Sequence, residues 1–205
     1  MRRILIALGA SALLLNACTT STGGTASPTV SNSDQPSTLP STSGLPGPGV
    51  PKVQTPIDVA RFKQSPCDAL TADQVSELLG QGVTPQADLE APAGPSCSAN
   101  PPQVTQASVL VIFTNVSNRG LTGVYEAKYR FFLPLAPVDG YPAVAYGLAD
   151  DRAGRGRCQI AIGTSDTQTV DIAVGQSEAN IGKKDPCEAA RDVASLVLGN
   201  LRGAK

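Results

Sequence analysis

The stretch "RCQIAIGTSDTQTVDIAV", Arg157–Val174, alternates twice about a polar turn. In its first half Cys158, Ile160 and Ile162 fall on one side of an extended chain, with Gln159 and Ala161 on the other. The second half sets Val170, Ile172 and Val174 against Asp171 and Ala173. Successive side chains of a strand point to opposite faces, so this period of two marks a pair of strands sharing one apolar face. Gly163–Gln168 between them has the length and chemistry of a hairpin turn. A lone hairpin is barely stable in water, so further strands and an apolar cover must be sought in the flanking chain.

Upstream, "QASVLVIFT" (Gln106–Thr114) is apolar on both faces and suits a central strand. "YPAVAYGL" (Tyr141–Leu148) is a further strand, with Pro142 placing it at a strand start or an edge. The run "FFLPL" (Phe131–Leu135) reads as a core strand, or as the lining of an apolar ligand pocket. Helical spacing links Leu121, Val124, Tyr125, Tyr129 and Phe132. A shorter helix runs from its cap Thr71, with Gln74 three residues on, to Gly80. Between them, residues 81–102 read as an irregular loop with a short extended piece around Cys97. The last helix spans Pro186 to about Leu201, its apolar face built on Ala189, Val193, Leu196, Val197 and Leu201. The fold expected is α+β: an antiparallel sheet with helices packed on one face.

One phrase occurs twice, "SPCDAL" at Ser65–Leu70 and "DPCEAA" at Asp185–Ala190. Each has a capping residue, then proline at the first helical position, then an acidic residue three after the cap. Each also puts a cysteine second in the helix, where a free thiol would be acidified. Cys67 or Cys187 as a reactive thiolate is one reading; a disulfide is the favoured one. Four cysteines (Cys67, Cys97, Cys158, Cys187) remain after Cys18, an even number that suits two disulfides in an oxidising compartment. Three connectivities are open. The repeated phrase favours Cys67 with Cys187, tying both helix starts together, and Cys97 with Cys158, tying a loop strand to the sheet. A bridge closing so long a loop would remove about 4–5 kcal/mol of unfolded-state entropy.

Composition excludes more than it includes. The chain of 205 residues has no histidine, which removes the commonest general base and zinc ligand and with them Ser-His-Asp and Cys-His catalysis. Its 16 basic and 17 acidic side chains give no electrostatic footprint for nucleic acid. No nucleophile elbow, Ser-x-x-Lys pair or phosphate-cradling glycine loop is present. Asp150-Asp151 with Arg152, Arg155 and Arg157 form the one dense charge cluster, read as a solvated loop. A histidine-free hydrolase would need two inward carboxylates about 5–10 Å apart. The candidates are Asp139, Asp150, Asp151 and Asp171, the last expected to face outward. No cofactor or metal is expected.

The N-terminus supplies an address. Arg2 and Arg3 precede a 12-residue apolar run, Ile4–Leu15, which is too short to span a bilayer. Residues 1–17 read as a signal peptide, and "LNAC" (Leu15–Cys18) resembles a bacterial lipobox whose Cys18 would carry a diacylglyceryl anchor. Two acyl chains hold a protein firmly to a membrane where one holds it marginally. Residues 18–54 read as lipidated cysteine plus tether: of residues 19–51, 25 are Ser, Thr, Pro or Gly. Residues 55–205 then form a single α+β domain.

These features together resemble a family of actinobacterial lipoproteins built on a domain of unknown function, whose mycobacterial members include LprB and LprC. The resemblance is carried by the lipobox at Cys18, the Ser/Thr/Pro tether and Pro66-Cys67 before a short helix ending at Gly80. It continues through "GYPAV" (Gly140–Val144), Cys158 within a strand, and "DPCEAARDVA" opening the last helix. It implies a protein anchored on the outer face of the bacterial cell membrane and brings no established activity. The function expected is non-catalytic binding of an envelope protein or small ligand. The alternatives are a carrier or sensor of lipids or wall fragments, which needs a large apolar cavity, and the carboxylate hydrolase.

Overall fold

The computed structural model describes residues 44–203. The expected signal peptide at 1–17, Cys18 and the tether up to residue 43 lie outside the described residues. Seven strands form one antiparallel sheet: β1 (Gln86–Asp88), β2 (Ser96–Ala99), β3 (Ser108–Phe113), β4 (Phe131–Val138), β5 (Tyr141–Gly147), β6 (Arg157–Ser165) and β7 (Gln168–Gly175). Their order is β1-β2-β3-β7-β6-β5-β4. Two meanders thus meet where β3 pairs with β7 rather than with its sequence neighbour. The helices are α1 (Ala60–Gln64), α2 (Ala72–Leu79), α3 (Leu121–Glu126), α4 (Arg152–Arg155) and α5 (Pro186–Gly203), with a 3-10 turn at Pro66–Ala69.

The hairpin of β6 and β7 lies at the centre. Ile160 stands opposite Ile172 and Ile162 opposite Val170. On the far side of β7, Val111 pairs with Ile172 and Phe113 with Val170, so the same face stays apolar across three strands. Helix α5 covers that face with Ala190, Val193, Ala194, Val197, Leu198 and Leu201, all buried at helical spacing. Phe62 of α1 stacks on Phe113 at 5.9 Å between ring centroids. Helix α2 starts in the capping box expected, Thr71 and Gln74 each bonding the other's backbone. The sheet edges are protected: β1 has three residues, and β4 carries Pro134 and Pro137, which cannot donate to a further strand.

The expected helix from Leu121 to Phe132 stops at Glu126. Tyr129 and Phe132 sit on the same apolar cluster as Leu121 and Val124, but Phe132 reaches it from β4, opposite Tyr146. The residues from Gln81 to Pro102, read as an irregular loop with a short extended piece around Cys97, contain two strands: β2 is that piece, and β1, which was not expected, forms the sheet's edge. Their pairing is long-range and carries little periodicity of its own.

Both repeated phrases open helical turns, as expected, and all four cysteines are bridged. The pairing is Cys67–Cys97 and Cys158–Cys187, which corrects the expected Cys67–Cys187 and Cys97–Cys158. Cys97 lies on β2 and Cys158 on β6, with β3 and β7 between them. Strands lie about 4.8 Å apart, so this separation is about 14 Å, beyond the reach of any disulfide. Each helix start is therefore pinned to the strand beneath it. The Cα–Cα distances are 4.9 Å and 5.1 Å, and the bridged residues are 30 and 29 apart.

The domain also begins earlier than Thr55. The Gly47 amide donates to Thr122 Oγ1 (3.0 Å), Val53 to Asp166 Oδ1 (2.9 Å) and Ile57 to the Thr164 carbonyl (2.9 Å). Val53 is buried in the core beside α5's face, whereas Val50 packs on the α3 side. This strap passes around the tip of the β6–β7 hairpin from one face of the sheet to the other. A Cβ at Gly47 would stand 2.9 Å from Thr122 Cγ2, so glycine alone allows the close approach.

Two outcomes follow. Non-reducing peptide mapping will return Cys67 linked to Cys97 and Cys158 to Cys187, and removing either bridge will lower stability by about 3–4 kcal/mol; a Cys67–Cys187 peptide would refute the assignment. A chain beginning at Thr55 will melt well below one beginning at Gly44, and Val53→Ala in the longer chain will cost about 1–2 kcal/mol in denaturant unfolding.

Candidate functional site

The alternation that turns Ile160 and Ile172 toward α5 turns Gln159, Ala161, Asp171 and Ala173 toward the opposite face. There α3 covers only part of the sheet. Leu121 packs on Val144, Tyr146 and Ala161, with Val124, Tyr125, Tyr129 and Phe132 around them. Beyond α3, toward β7 and β3, Leu110 and Ala173 are half-buried.

That uncovered strip is a groove of about 650 Å³. Leu110, Gln159 and Ala173 form its floor and Tyr146 its wall, while Phe131, packed on the α5-side core, borders it at the start of β4. The Gly147–Ala149 turn and the residues Asp151, Arg155 and Arg157 make the rim. The groove lies at the start of β6 and the end of β7, whereas the strap crosses the other end of the same two strands.

A buried polar cluster fixes the wall. The Tyr146 hydroxyl donates to Asp171 Oδ2 and accepts from Gln159 Nε2, each at 2.5 Å. The Tyr129 ring packs at 4.6 Å from the Tyr146 ring. Held at its hydroxyl and against its ring, Tyr146 presents a preset surface to the groove. Asp171 is only 4% exposed, which corrects the expectation that it faces outward. It does point away from α5, but β3 and β6 flank it and α3's cluster lies over that face. Burial pushes its carboxyl up to about 6, opposed by hydrogen bonds from Tyr146, Thr114, Thr169 and Gln159. Those hydroxyls approach without completing the shell: Asp171 Oδ1 and Thr114 Oγ1 are both buried with no well-aligned partner among the described residues. Burial, then the Asp171 charge, raise the Tyr146 hydroxyl far above the usual phenol range.

The other residues singled out in the sequence lie elsewhere. Cys67, Cys97, Cys158 and Cys187 are in disulfides, so none is a thiolate nucleophile. Asp139, in the β4–β5 turn, accepts from Ser195 and Arg202 of α5 at 3.0 Å each, on the covered side of the sheet. Asp150 pairs with Arg152 at 2.8 Å, and Asp151 with Arg155 at 3.7 Å. Phe131 of the "FFLPL" run does border the groove, but from an edge strand. Tyr146 and Gln159 were not anticipated. The only hint was that each shares a strand face with small or apolar neighbours, which does not distinguish a site from a core.

Asp171 makes stability depend on pH. Its carboxyl is raised in the folded chain, so its contribution is present below the ordinary carboxylate pKa and is lost as pH rises through 6. Asp171→Asn keeps an acceptor for Tyr146 and cannot ionise. Its stability relative to the parent is therefore expected to rise by about 2–3 kcal/mol between pH 4 and pH 8. Urea unfolding at both pH values measures this, and an unchanged difference would show that Asp171 titrates normally.

Comparison with known proteins gives one match. The family described as "Protein of unknown function (DUF3558)" covers residues 13–200, which takes in Cys18, both disulfides, the strap and the groove. No curated protein and no solved structure matches the chain. The match spans nearly the whole sequence: this chain belongs to the DUF3558 family of unknown function.

Proposed function

We propose that the chain is a membrane-anchored extracytoplasmic lipoprotein whose domain binds a small ligand, without catalysis, in the groove beside Tyr146. The observation that carries the binding reading is the asymmetry of the sheet. One face is covered by α5 along its centre and keeps a smaller groove of about 480 Å³ between α2 and α5, while the other is covered only in part and leaves the larger groove of about 650 Å³, within the size range of small-molecule sites. The envelope address is supported by the lipobox at Cys18, the basic-apolar signal at 1–17 and the Ser/Thr/Pro-rich tract. Two disulfides and no free cysteine among the described residues suit an oxidising compartment. The resemblance to actinobacterial lipoproteins supports the same address.

Two alternatives fit the geometry less well. A carrier that hides a lipid inside the core needs a large enclosed cavity. The space between sheet and helices near Cys67 and Val111 amounts to about 10 Å³, room for no more than about one water and far too little for an acyl chain. A carboxylate hydrolase needs two acids facing one space, and Asp151 is the one carboxylate on the groove lining.

Two measurements test the reading. Metabolic labelling with palmitate is expected to mark the parent chain and to fail on Cys18→Ser, which will shift from the membrane to the soluble fraction. Native mass spectrometry of protein extracted from envelopes is expected to show an adduct that Ala173→Trp, which fills the groove floor, loses. A bare mass for the parent chain would remove the ligand-binding reading.

A further inference from the structure

We infer that the ligand is a free, single-tailed amphiphile with one anionic head, the head held at Arg155 and Arg157 and the tail laid over Leu110 and Ala173. This rests on the groove being the binding site and names what it takes. Two arginines face a single carboxylate, Asp151, on the lining. Asp151 stands 3.7 Å from Arg155, on an exposed contact of little strength. Arg157 has no ion pair among the described residues. Both arginines also border the adjoining depression that runs toward Val104. On the groove lining the arginines outnumber the carboxylate by one, with Glu178 farther off on the adjoining depression, and Arg157 is left with donors that suit carboxylate or phosphate oxygens.

The rest of the groove is apolar and preset. Leu110 and Ala173 form the floor, and the Tyr146 ring is fixed by its bonds to Asp171 and Gln159. Leu148 on the same rim is 81% exposed, and Val104 beside the neighbouring depression is 97% exposed. Apolar side chains left in water next to two exposed arginines, one of them without an ion pair among the described residues, make a surface complementary to a molecule with an apolar body and an acidic end. The groove is open along its length, so the tail is held against a surface rather than enclosed, and one chain is what its volume suits.

The test is calorimetric titration of the chain from position 18 carrying Cys18→Ser. The probes are dodecanoate and dodecanol, each below its aggregation limit, and vesicles of phosphatidylglycerol. Dodecanoate is expected to bind about tenfold or more tightly than dodecanol, and the Arg155→Gln/Arg157→Gln variant to lose that difference. Raising the salt concentration is expected to weaken dodecanoate binding and leave dodecanol unchanged. Both arginines are exposed, so the double variant is expected to keep its fold, which circular dichroism checks. Equal binding of the two probes, insensitive to the arginines, would overturn the charged-head assignment. If Ala173→Trp then still removed the native adduct, the groove would stand as the site. Binding to vesicles without binding of monomeric dodecanoate would overturn the inference in favour of a membrane-docking surface. Binding of neither probe, with the native adduct present, would overturn it in favour of another ligand class.

Discussion

The contact of Ile160 with Ile172, repeated outward by Ile162 with Val170 and Val111 with Ile172, ties the rest of the structure together. A strand pair that is apolar on one face must have that face covered; the other face of an antiparallel sheet can stand in water, but here Val144, Tyr146 and Ala161 make it apolar enough to need cover as well. Helix α5 answers the first demand with a continuous stripe of buried residues. The second is met only in part, by α3, by the aromatic residues of β4 and β5, and by the strap. The groove is where that second cover stops.

The disulfides follow from the same sheet. Each sits where a short helical start crosses the strand below it, Cys67 over β2 and Cys187 over the beginning of β6. Neither joins distant ends of the domain. Together they fix the two helical starts over the covered face, one on β2 beside the sheet's edge and one on the central β6. Each closes a loop of similar, modest length, so the stabilisation is shared between two local staples rather than concentrated in one long one.

Much of this was readable from residue order. The β6–β7 hairpin, β3, the capping box of α2 and the helix α5 all rest on local periodicity or local chemistry, and the structure has them where the pattern puts them. Within α5 the face is turned, burying Ala190, Ala194 and Leu198 beside Val193, Val197 and Leu201, while Leu196 stays outside the core and Ala189 is only partly buried. What could not be read depends on which strands meet. "DPCEAA" and "SPCDAL" look like partners in one dimension and are held apart by β3 and β7 in three. Val53 looks like the end of a polar tract until Asp166 supplies a bond for its amide. Asp171 occupies the polar side of a clean alternation, and only the flanking strands and the cluster under α3 decide that this side is buried. Tyr146 and Gln159 are ordinary strand residues until the sheet closes and sets both against that carboxyl.

The strap gives the domain a handle. The chain enters the domain beside the tip of the β6–β7 hairpin, and the groove opens at the opposite end of those strands. Entry and mouth thus stand at opposite poles of one hairpin. A molecule filling the mouth leaves the bonds to Thr122, Asp166 and Thr164 at the other pole untouched.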